Sequence, residues 1–272
     1  MNRHIRTVLT AQPAEDGAGV KLQRVFSSQA YVYTNPFVML DEFGSDVADD
    51  YIAGFPAHPH RGFDTITFML NGSMTHEDST GNKGVITDNG VQWMRTGSGI
   101  IHSEMPAQSE GKMRGMQFWL NVPKALKTLA PDYVDYPTER TQTAAGNSIR
   151  VIAGELAGQK TPFKPEHTQP GLYFVQFDQA DTERFTLPEH DTGLVYVLSG
   201  EATIGAHTLG AQKLGVLSSG TTLSLQASKD AEVLVVHGAR IDEPMVQYGP
   251  FVMNTEADIH QAFDDFHAGR FN

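Results

Sequence analysis

Cysteine is absent from the chain, and this absence removes several kinds of chemistry at once. No disulfide, thiolate nucleophile or cysteine metal ligand is available, so a metal site must use nitrogen and oxygen ligands. Positive charge is also scarce: 20 Lys and Arg stand against 32 Asp and Glu, and the net charge of −12 opposes attraction to phosphate backbones. We therefore expect no direct binding of nucleic acid.

Long apolar runs are missing as well. No stretch approaches the ~20 apolar residues that span a bilayer, and the first residues lack an apolar core of signal-peptide length. We therefore expect no membrane association and a cytoplasmic location.

Turn-forming residues, in contrast, are frequent, with 26 Gly and 14 Pro. The apolar stretches between them are short, which is typical of many strands joined by turns rather than of long helices. The composition therefore predicts an all-β architecture.

Two pairs of segments indicate an internal duplication. Thr65–Thr75 and Gly193–Thr203 both read as a strand, a glycine turn and a returning strand. Gly97–His102 aligns with Gly220–Leu225 at nearly the same offset, which favours two related halves. The alternative, that unrelated hairpins with a glycine turn look this similar, remains open.

The halves are predicted to meet near residues 135 to 148, in a polar stretch that follows a short helix beginning near Pro123. This predicts an N-terminal metal-binding domain at residues 1–135 and a C-terminal domain without metal ligands at 136–272. The second domain includes a helical tail, capped by Asn254 or Thr255. Its apolar positions follow helical spacing and are Ile259, Ala262, Phe263 and Phe266.

Two paired motifs carry the candidate chemistry. In His58-Pro59-His60 the imidazoles are two residues apart, so on a strand they project from the same face. His102-Ser103-Glu104 repeats the spacing about 40 residues later, after two or three predicted strands. Four nitrogen and oxygen ligands can therefore converge from two neighbouring strands.

Imidazole and carboxylate suit first-row divalent metals, and three histidines with one carboxylate leave open positions in an octahedral sphere. A single such pair could equally be surface or core polar residues, but two pairs favour a metal site. The remaining histidines lack a partner two residues away and are interpreted as structural or solvated; they include His76, His190, His207 and His237.

The duplication also predicts what stands at the ligand positions in the second half. Its offsets align His58 and His60 with Thr186 and Pro188, and the other two ligands with Leu225 and Ala227. We therefore expect the second half to have lost its metal.

Several motifs resemble the pirin family, a branch of the cupin superfamily, and the resemblance runs across essentially the whole chain. They are His58–Thr65 (HPHRGFDT), His76–Gly84 (HEDSTGNKG), Gln92–Met94, Gly99–Pro106 (GIIHSEMP) and Glu243–Thr255.

The resemblance implies a bicupin, that is, two facing double-stranded β-helix (jelly-roll) barrels with a C-terminal helix. It implies iron in the N-terminal barrel, held by the residues that match His58, His60, His102 and Glu104. Pirins usually carry glutamate where Asp64 stands, and this residue is expected beside the ligands rather than among them.

Bacterial pirins are similar to cupin dioxygenases, and several are described as quercetin 2,3-dioxygenases, which open the flavonol ring with O2 and release carbon monoxide. The resemblance therefore implies an enzyme that takes a small aromatic substrate such as a flavonol, with Glu104 as the base for the 3-hydroxyl proton. Fe(II) is the expected metal, with Mn, Co, Ni, Cu or Zn as alternatives.

Two other functions remain open. The first is a metal- or redox-responsive binding protein that regulates a transcription factor or a metabolic enzyme, as other pirins do. The second is a different natural substrate, with flavonol cleavage as a side activity.

Overall fold

A computed structural model describes residues 1–163 and 167–271 of the protein. Its contacts divide the chain into two compact units. One, which we call the N-terminal barrel, comprises Pro13–Ser28, Phe37–Pro137 and Ile241–Asn272. The other, the C-terminal barrel, comprises Met1–Gln12, Gln29–Pro36 and Thr138–Arg240. The domain boundary between residues 135 and 136 stays a prediction.

Strands dominate the described residues, in agreement with the predicted all-β class. In chain order the first are β1 (Ile5–Thr10), β2 (Gln12–Asp16), β3 (Val20–Phe26), β4 (Phe37–Ser45), β5 (Phe55–His60), β6 (Phe63–Asn71), β7 (Met74–Asp78), β8 (Lys83–Ile86), β9 (Gly90–Arg95), β10 (Ile100–Pro106), β11 (Met113–Asn121) and β12 (Asp132–Pro137). They continue with β13 (Thr141–Gln142), β14 (Ser148–Ala153), β15 (Glu155–Leu156), β16 (Gln159–Lys160), β17 (Gly171–Gln176), β18 (Thr182–Thr186), β19 (Thr192–Ser199), β20 (Glu201–Ile204), β21 (His207–Gly210), β22 (Lys213–Leu217), β23 (Thr222–Ala227), β24 (Glu232–Gly238), β25 (Val246–Tyr248) and β26 (Phe251–Met253).

Helices are few and short. They are α1 (Tyr31–Thr34), α2 (Glu256–His267) and the 3-10 turns Ser28–Ala30, Ala48–Asp50 and Lys124–Leu126. The last of these begins one residue after Pro123, where a short helix was predicted. None of the helices in residues 1–163 and 167–271 is long and apolar enough to cross a membrane.

Each barrel is built from a seven-stranded and a four-stranded antiparallel sheet. In the N-terminal barrel the orders are β12-β9-β6-β11-β4-β3-β2 and β5-β10-β7-β8. In the C-terminal barrel they are β1-β22-β19-β24-β17-β14-β13 and β18-β23-β20-β21. From β9 to β2 and from β22 to β13 the seven-stranded orders correspond strand for strand, as do the two four-stranded orders, which confirms the predicted duplication.

The turns of the duplicated hairpins are made where the sequence predicts them. Gly72 lies between β6 and β7 with a φ of 87°, and Gly200 lies between β19 and β20 with a φ of 76°. Glycine adopts this left-handed backbone without the steric cost that a Cβ imposes.

The C-terminal helix α2 begins with a capping box. Thr255 accepts a hydrogen bond from the backbone of Asp258, whose side chain accepts one from the backbone of Thr255. Its inner face buries Ile259 and Ala262 against Phe251 of β26. The predicted cap and helical spacing are both confirmed, and the helix belongs to the N-terminal barrel.

Candidate metal centre

Three imidazoles converge on one face of the four-stranded sheet of the N-terminal barrel. His58 and His60 lie on β5, and His102 lies directly opposite His58 on the antiparallel neighbour β10. The ring centroids are 4.7 Å apart for His58 and His60, 4.4 Å for His58 and His102, and 5.0 Å for His60 and His102. One ligand nitrogen from each ring lies within 4.8 Å of the others, so the cluster can hold a metal ion.

Two of the imidazoles are oriented by backbone carbonyl groups. Nδ1 of His58 donates to the carbonyl oxygen of Pro56 at 2.8 Å, and Nδ1 of His60 donates to that of Pro250 at 3.1 Å. A hydrogen bond at Nδ1 fixes the tautomer and leaves the lone pair of Nε2 for a metal.

The surroundings of His102 show whether a metal ion fits the three-histidine cluster. The residue is 2% exposed, yet neither of its ring nitrogens has a hydrogen-bond partner among the described residues. Buried polar groups without partners are costly, and a metal ion would satisfy one of these nitrogens. The donor set of three imidazoles suits first-row divalent metals.

Burial also keeps the three rings neutral, which is the form that binds metal. Desolvation lowers the pKa of His58, lowers that of His60 to about 3 and lowers that of His102 well below its ordinary value. All three rings are therefore shifted towards the neutral form.

Glu104 shares the inward face of β10 with His102 and is 5% exposed. Its Oε1 lies 3.1 Å from Oγ1 of Thr67, which in turn lies 2.5 Å from Oε1 of Gln117. A hydroxyl has one proton and can donate to only one of these oxygens, so either Glu104 is protonated or the Gln117 amide is turned. Burial raises the pKa of Glu104 to about 7.

His76 lies next to the cluster, although the sequence suggested only a structural or solvated residue. It is 1% exposed, its ring stacks on Tyr133 at 4.6 Å, and its centroid is 5.4 Å from that of His102. Nε2 donates to the carboxylate of Asp78 at 3.1 Å, while Nδ1 has no partner among the described residues. β7 pairs with β10, and this pairing places His76 opposite Glu104. A linear sequence does not show which strands are paired, so the position of His76 could not be predicted from it.

Asp64 does not lie where it was expected. Its Oδ2 accepts a hydrogen bond from Nε1 of Trp93 at 3.1 Å, and burial raises its pKa to about 7. Because successive residues of a strand face opposite sides, Asp64 lies on the face of β6 opposite Thr67, the residue that contacts Glu104. The structure therefore does not place Asp64 beside the three histidines.

Aromatic side chains surround His60. Its ring packs edge-on against Phe63 at 5.1 Å and against Trp119 at 5.0 Å, and these two rings lie 4.4 Å from each other. Such an apolar wall limits the access of water to the imidazole and keeps the local dielectric low.

Strand register identifies the corresponding positions in the C-terminal barrel. His102 pairs with His58, and its counterpart Leu225 pairs with Glu183. Glu183 therefore occupies the position of His58, and Phe185, two residues on, that of His60. The alignment of His58 and His60 with Thr186 and Pro188 was wrong. The sequence offset used for that alignment differs by a few residues from the offset that the pairing of β18 with β23 gives.

Two barrels of the same topology, one of them carrying a three-histidine centre, define a bicupin with a candidate metal site. Family models agree: residues 19–120 match that of pirin, and residues 172–272 match that of the pirin C-terminal cupin domain. The chain belongs to the pirin family.

Relatives along the full length include a protein of Pseudomonas aeruginosa named "Putative quercetin 2,3-dioxygenase", 43% identical over 98% of this chain and 97% of its own. A pirin-like protein of Caulobacter vibrioides is 42% identical over 99% of both chains. A crystal structure of quercetin 2,3-dioxygenase from Acinetobacter baumannii superposes with a TM-score of 0.92 at 30% identity, covering 100% of this chain and 99% of that one.

Proposed function

We propose that the protein is a metal-dependent dioxygenase of the quercetin 2,3-dioxygenase type, which opens the flavonol ring with O2 and releases carbon monoxide. The observation that carries the proposal is the cluster of His58, His60 and His102, which can hold a metal ion. It is supported by a relative and a solved structure that are named quercetin 2,3-dioxygenase. Glu104 is proposed as the fourth ligand and as the catalytic residue.

The metal is proposed to be Fe(II), held by the three imidazoles and Glu104. When bound, a divalent ion of this kind supplies Lewis acidity and a template for substrate and O2. Mn, Co, Ni, Cu and Zn remain alternatives, because the same ligands accept several first-row ions.

The chain's own residues prepare the site. The carbonyl groups of Pro56 and Pro250 orient His58 and His60, so little reorganisation is required when ligands bind. Phe63 and Trp119 provide an apolar wall beside His60, which suits a flat aromatic substrate.

Glu104 is proposed to take the proton of the flavonol 3-hydroxyl. The role requires a carboxylate oxygen within hydrogen-bond reach of the substrate. Thr67 contacts Oε1 and so fixes the carboxylate, while Oε2 has no hydrogen-bond partner among the described residues. Oε2 is therefore the oxygen we propose as the proton acceptor.

The test is oxygen uptake with quercetin by protein purified without oxygen and loaded separately with Fe(II), Mn(II), Co(II) or Ni(II). Metal-dependent uptake that disappears in His58→Ala and His102→Ala supports the proposal. His207→Ala is the matched control, because this histidine is exposed on β21 of the C-terminal barrel. Stoichiometric metal binding without uptake for any metal contradicts it and favours the regulatory binding protein.

A further inference from the structure

The C-terminal barrel contains a cavity of about 260 Å³ that the proposed dioxygenase reaction does not use. It lies between β13–β14, at one edge of the seven-stranded sheet, and β18, at one edge of the four-stranded sheet. The residues that shape it are Thr143, Ile149, Val151, Leu156, Glu183 and Phe185.

Strand register relates this cavity to the metal centre of the other barrel. Glu183 and Phe185 occupy the positions of the metal ligands His58 and His60, as the pairing of β18 with β23 shows. The remaining two ligand positions hold Leu225 and Ala227, which are hydrocarbon. The duplicated site thus combines a single carboxylate with apolar neighbours, a set suited to an organic ligand rather than to a metal.

Most of the cavity wall is apolar. Ile149, Val151 and Phe185 are buried residues of the barrel core, and Leu156 packs on them from the short β15–β16 hairpin. A ligand in this space would replace water by contact with aliphatic and aromatic carbon, which favours an apolar body. The volume is just below the range of about 300 to 1,000 Å³ that is typical of small-molecule sites, so that body is about the size of one ring.

Glu183 is the carboxylate at this wall, beside the polar residues Thr141, Gln142, Thr143 and Gln159, and only one of its two oxygens has a hydrogen-bond partner in the described residues. The residue is 8% exposed, and its Oε1 accepts from Oγ1 of Thr143 at 2.6 Å and from Nδ2 of Asn147 at 2.9 Å. Its Oε2 has no hydrogen-bond partner among the residues the structure describes. Oε2 is therefore the oxygen of this largely buried residue that is left to accept from a ligand, and a charged acceptor forms stronger hydrogen bonds than a neutral one.

The charge around Glu183 decides which donor fits best. The one cationic residue at the cavity, Arg184, is exposed, and the alternation of β18 directs its side chain to the face opposite Glu183 and Phe185. No cation of the cavity wall therefore faces the carboxylate. An ammonium group would supply both a donor and the missing positive charge.

We propose that this cavity binds a small primary amine with an apolar body the size of one ring, whose ammonium donates to Oε2 of Glu183. The site contains none of the metal ligands of the N-terminal barrel. Its test is therefore independent of whether the protein is a dioxygenase.

The experiment is calorimetric titration of the full-length protein with 2-phenylethylamine, and with uncharged 2-phenylethanol and anionic 3-phenylpropionate as matched probes. We expect the amine to bind roughly tenfold or more tightly than the alcohol, because hydrogen bonds to a buried charge are stronger than neutral ones. The anion should not bind.

Two variants locate the binding. Glu183→Gln keeps an oxygen for Thr143 and Asn147 but removes the charge, and it should weaken the amine about tenfold or more. Leu156→Trp fills the cavity and leaves Glu183 in place, and it should abolish binding of all probes. Glu189→Gln, at an exposed glutamate of the same barrel, is the control that should bind like wild type.

Melting temperatures of all variants establish that each is folded. The proposal is overturned if wild type does not bind the amine, if Glu183→Gln binds it unchanged, or if the alcohol binds as tightly as the amine. Amine binding that survives Leu156→Trp would place the ligand elsewhere and would overturn it as well.

Discussion

The carbonyl oxygen of Pro250 accepts a hydrogen bond from Nδ1 of His60, a residue 190 positions earlier in the chain. The contact connects the C-terminal segment of the N-terminal barrel to a metal-site histidine. Two further contacts hold the same region: Arg61 forms an ion pair with Asp265 of α2 at 2.8 Å, and Nζ of Lys127 donates to the carbonyl of Val252 at 2.9 Å. The C-terminal segment is therefore part of the support of the metal centre.

Metal binding should depend on the three clustered histidines and not on their neighbour His76. Alanine at His58, His60 or His102 removes a ligand, and we expect each change to weaken metal binding by more than about 100-fold. His76→Phe keeps the ring stacked on Tyr133 and should retain one metal per chain. The measurement is the metal content of each variant by elemental mass spectrometry, after dialysis against a weak chelator. Loss of metal in His76→Phe would make His76 a ligand and contradict the assignment.

Lys127 should be a main stabilising residue of the N-terminal barrel. Its buried Nζ donates to the carbonyl of Gly62 at 2.6 Å, to Oδ1 of Asn121 at 2.5 Å and to the carbonyl of Val252. Lys127→Met removes the donor that these three buried oxygens share, so we expect a loss of about 3 kcal/mol in the free energy of unfolding. Urea denaturation measures it. The matched control Lys124→Met, at an exposed lysine three residues earlier, should change the free energy by less than about 0.5 kcal/mol.

The sequence predicted the parts of the site that depend on local spacing. His58 and His60 share a face because strand residues alternate, and Thr255 caps α2 because a threonine precedes an acidic residue by three positions. Both predictions follow from the geometry of a single element. They needed no knowledge of which strands are neighbours.

Most features that depend on pairing between distant segments could not be predicted; the pairing of β5 with β10 is the exception, because each of these strands carries a pair of candidate ligands. The orientation of His60 by Pro250 and the burial of His76 beside His102 arise from strand neighbours, which no local pattern encodes. The same holds for β1, which comes first in the chain but completes the seven-stranded sheet of the C-terminal barrel beside β22. The sequence comparison of the two halves was also wrong by a few residues at β18. It therefore assigned the wrong residues of the C-terminal barrel to the positions of His58 and His60.

The stability supplied by Lys127 should depend on pH. Burial lowers the pKa of Lys127 from 10.5 to about 7. Between these values the unfolded chain binds more protons at this residue than the folded chain, so its contribution to stability rises as the pH increases from 7 to 10.5. Below pH 7 both states are protonated and the contribution is constant.

The measurement is the difference in unfolding free energy between wild type and Lys127→Met at several pH values, in which the other groups cancel. We expect the difference to grow from pH 7 to 10. For Lys124→Met it should stay flat. Parallel curves for wild type and Lys127→Met would show that this lysine has an ordinary pKa in the folded protein.

Replacing Glu104 by Gln separates its two proposed roles, ligand and proton acceptor. Gln keeps an oxygen that can bind a metal and accept from Thr67, but it takes up a proton far less readily than a carboxylate. If the dioxygenase proposal is right, we expect turnover with quercetin to fall by about 100-fold or more, the usual loss when a catalytic base is removed, while most of the metal is retained. Oxygen uptake and metal content are measured on the same samples, with Glu110→Gln, an exposed glutamate, as control. Unchanged turnover with full metal would exclude Glu104 as the base, whereas loss of both would indicate that its main role is to bind the metal.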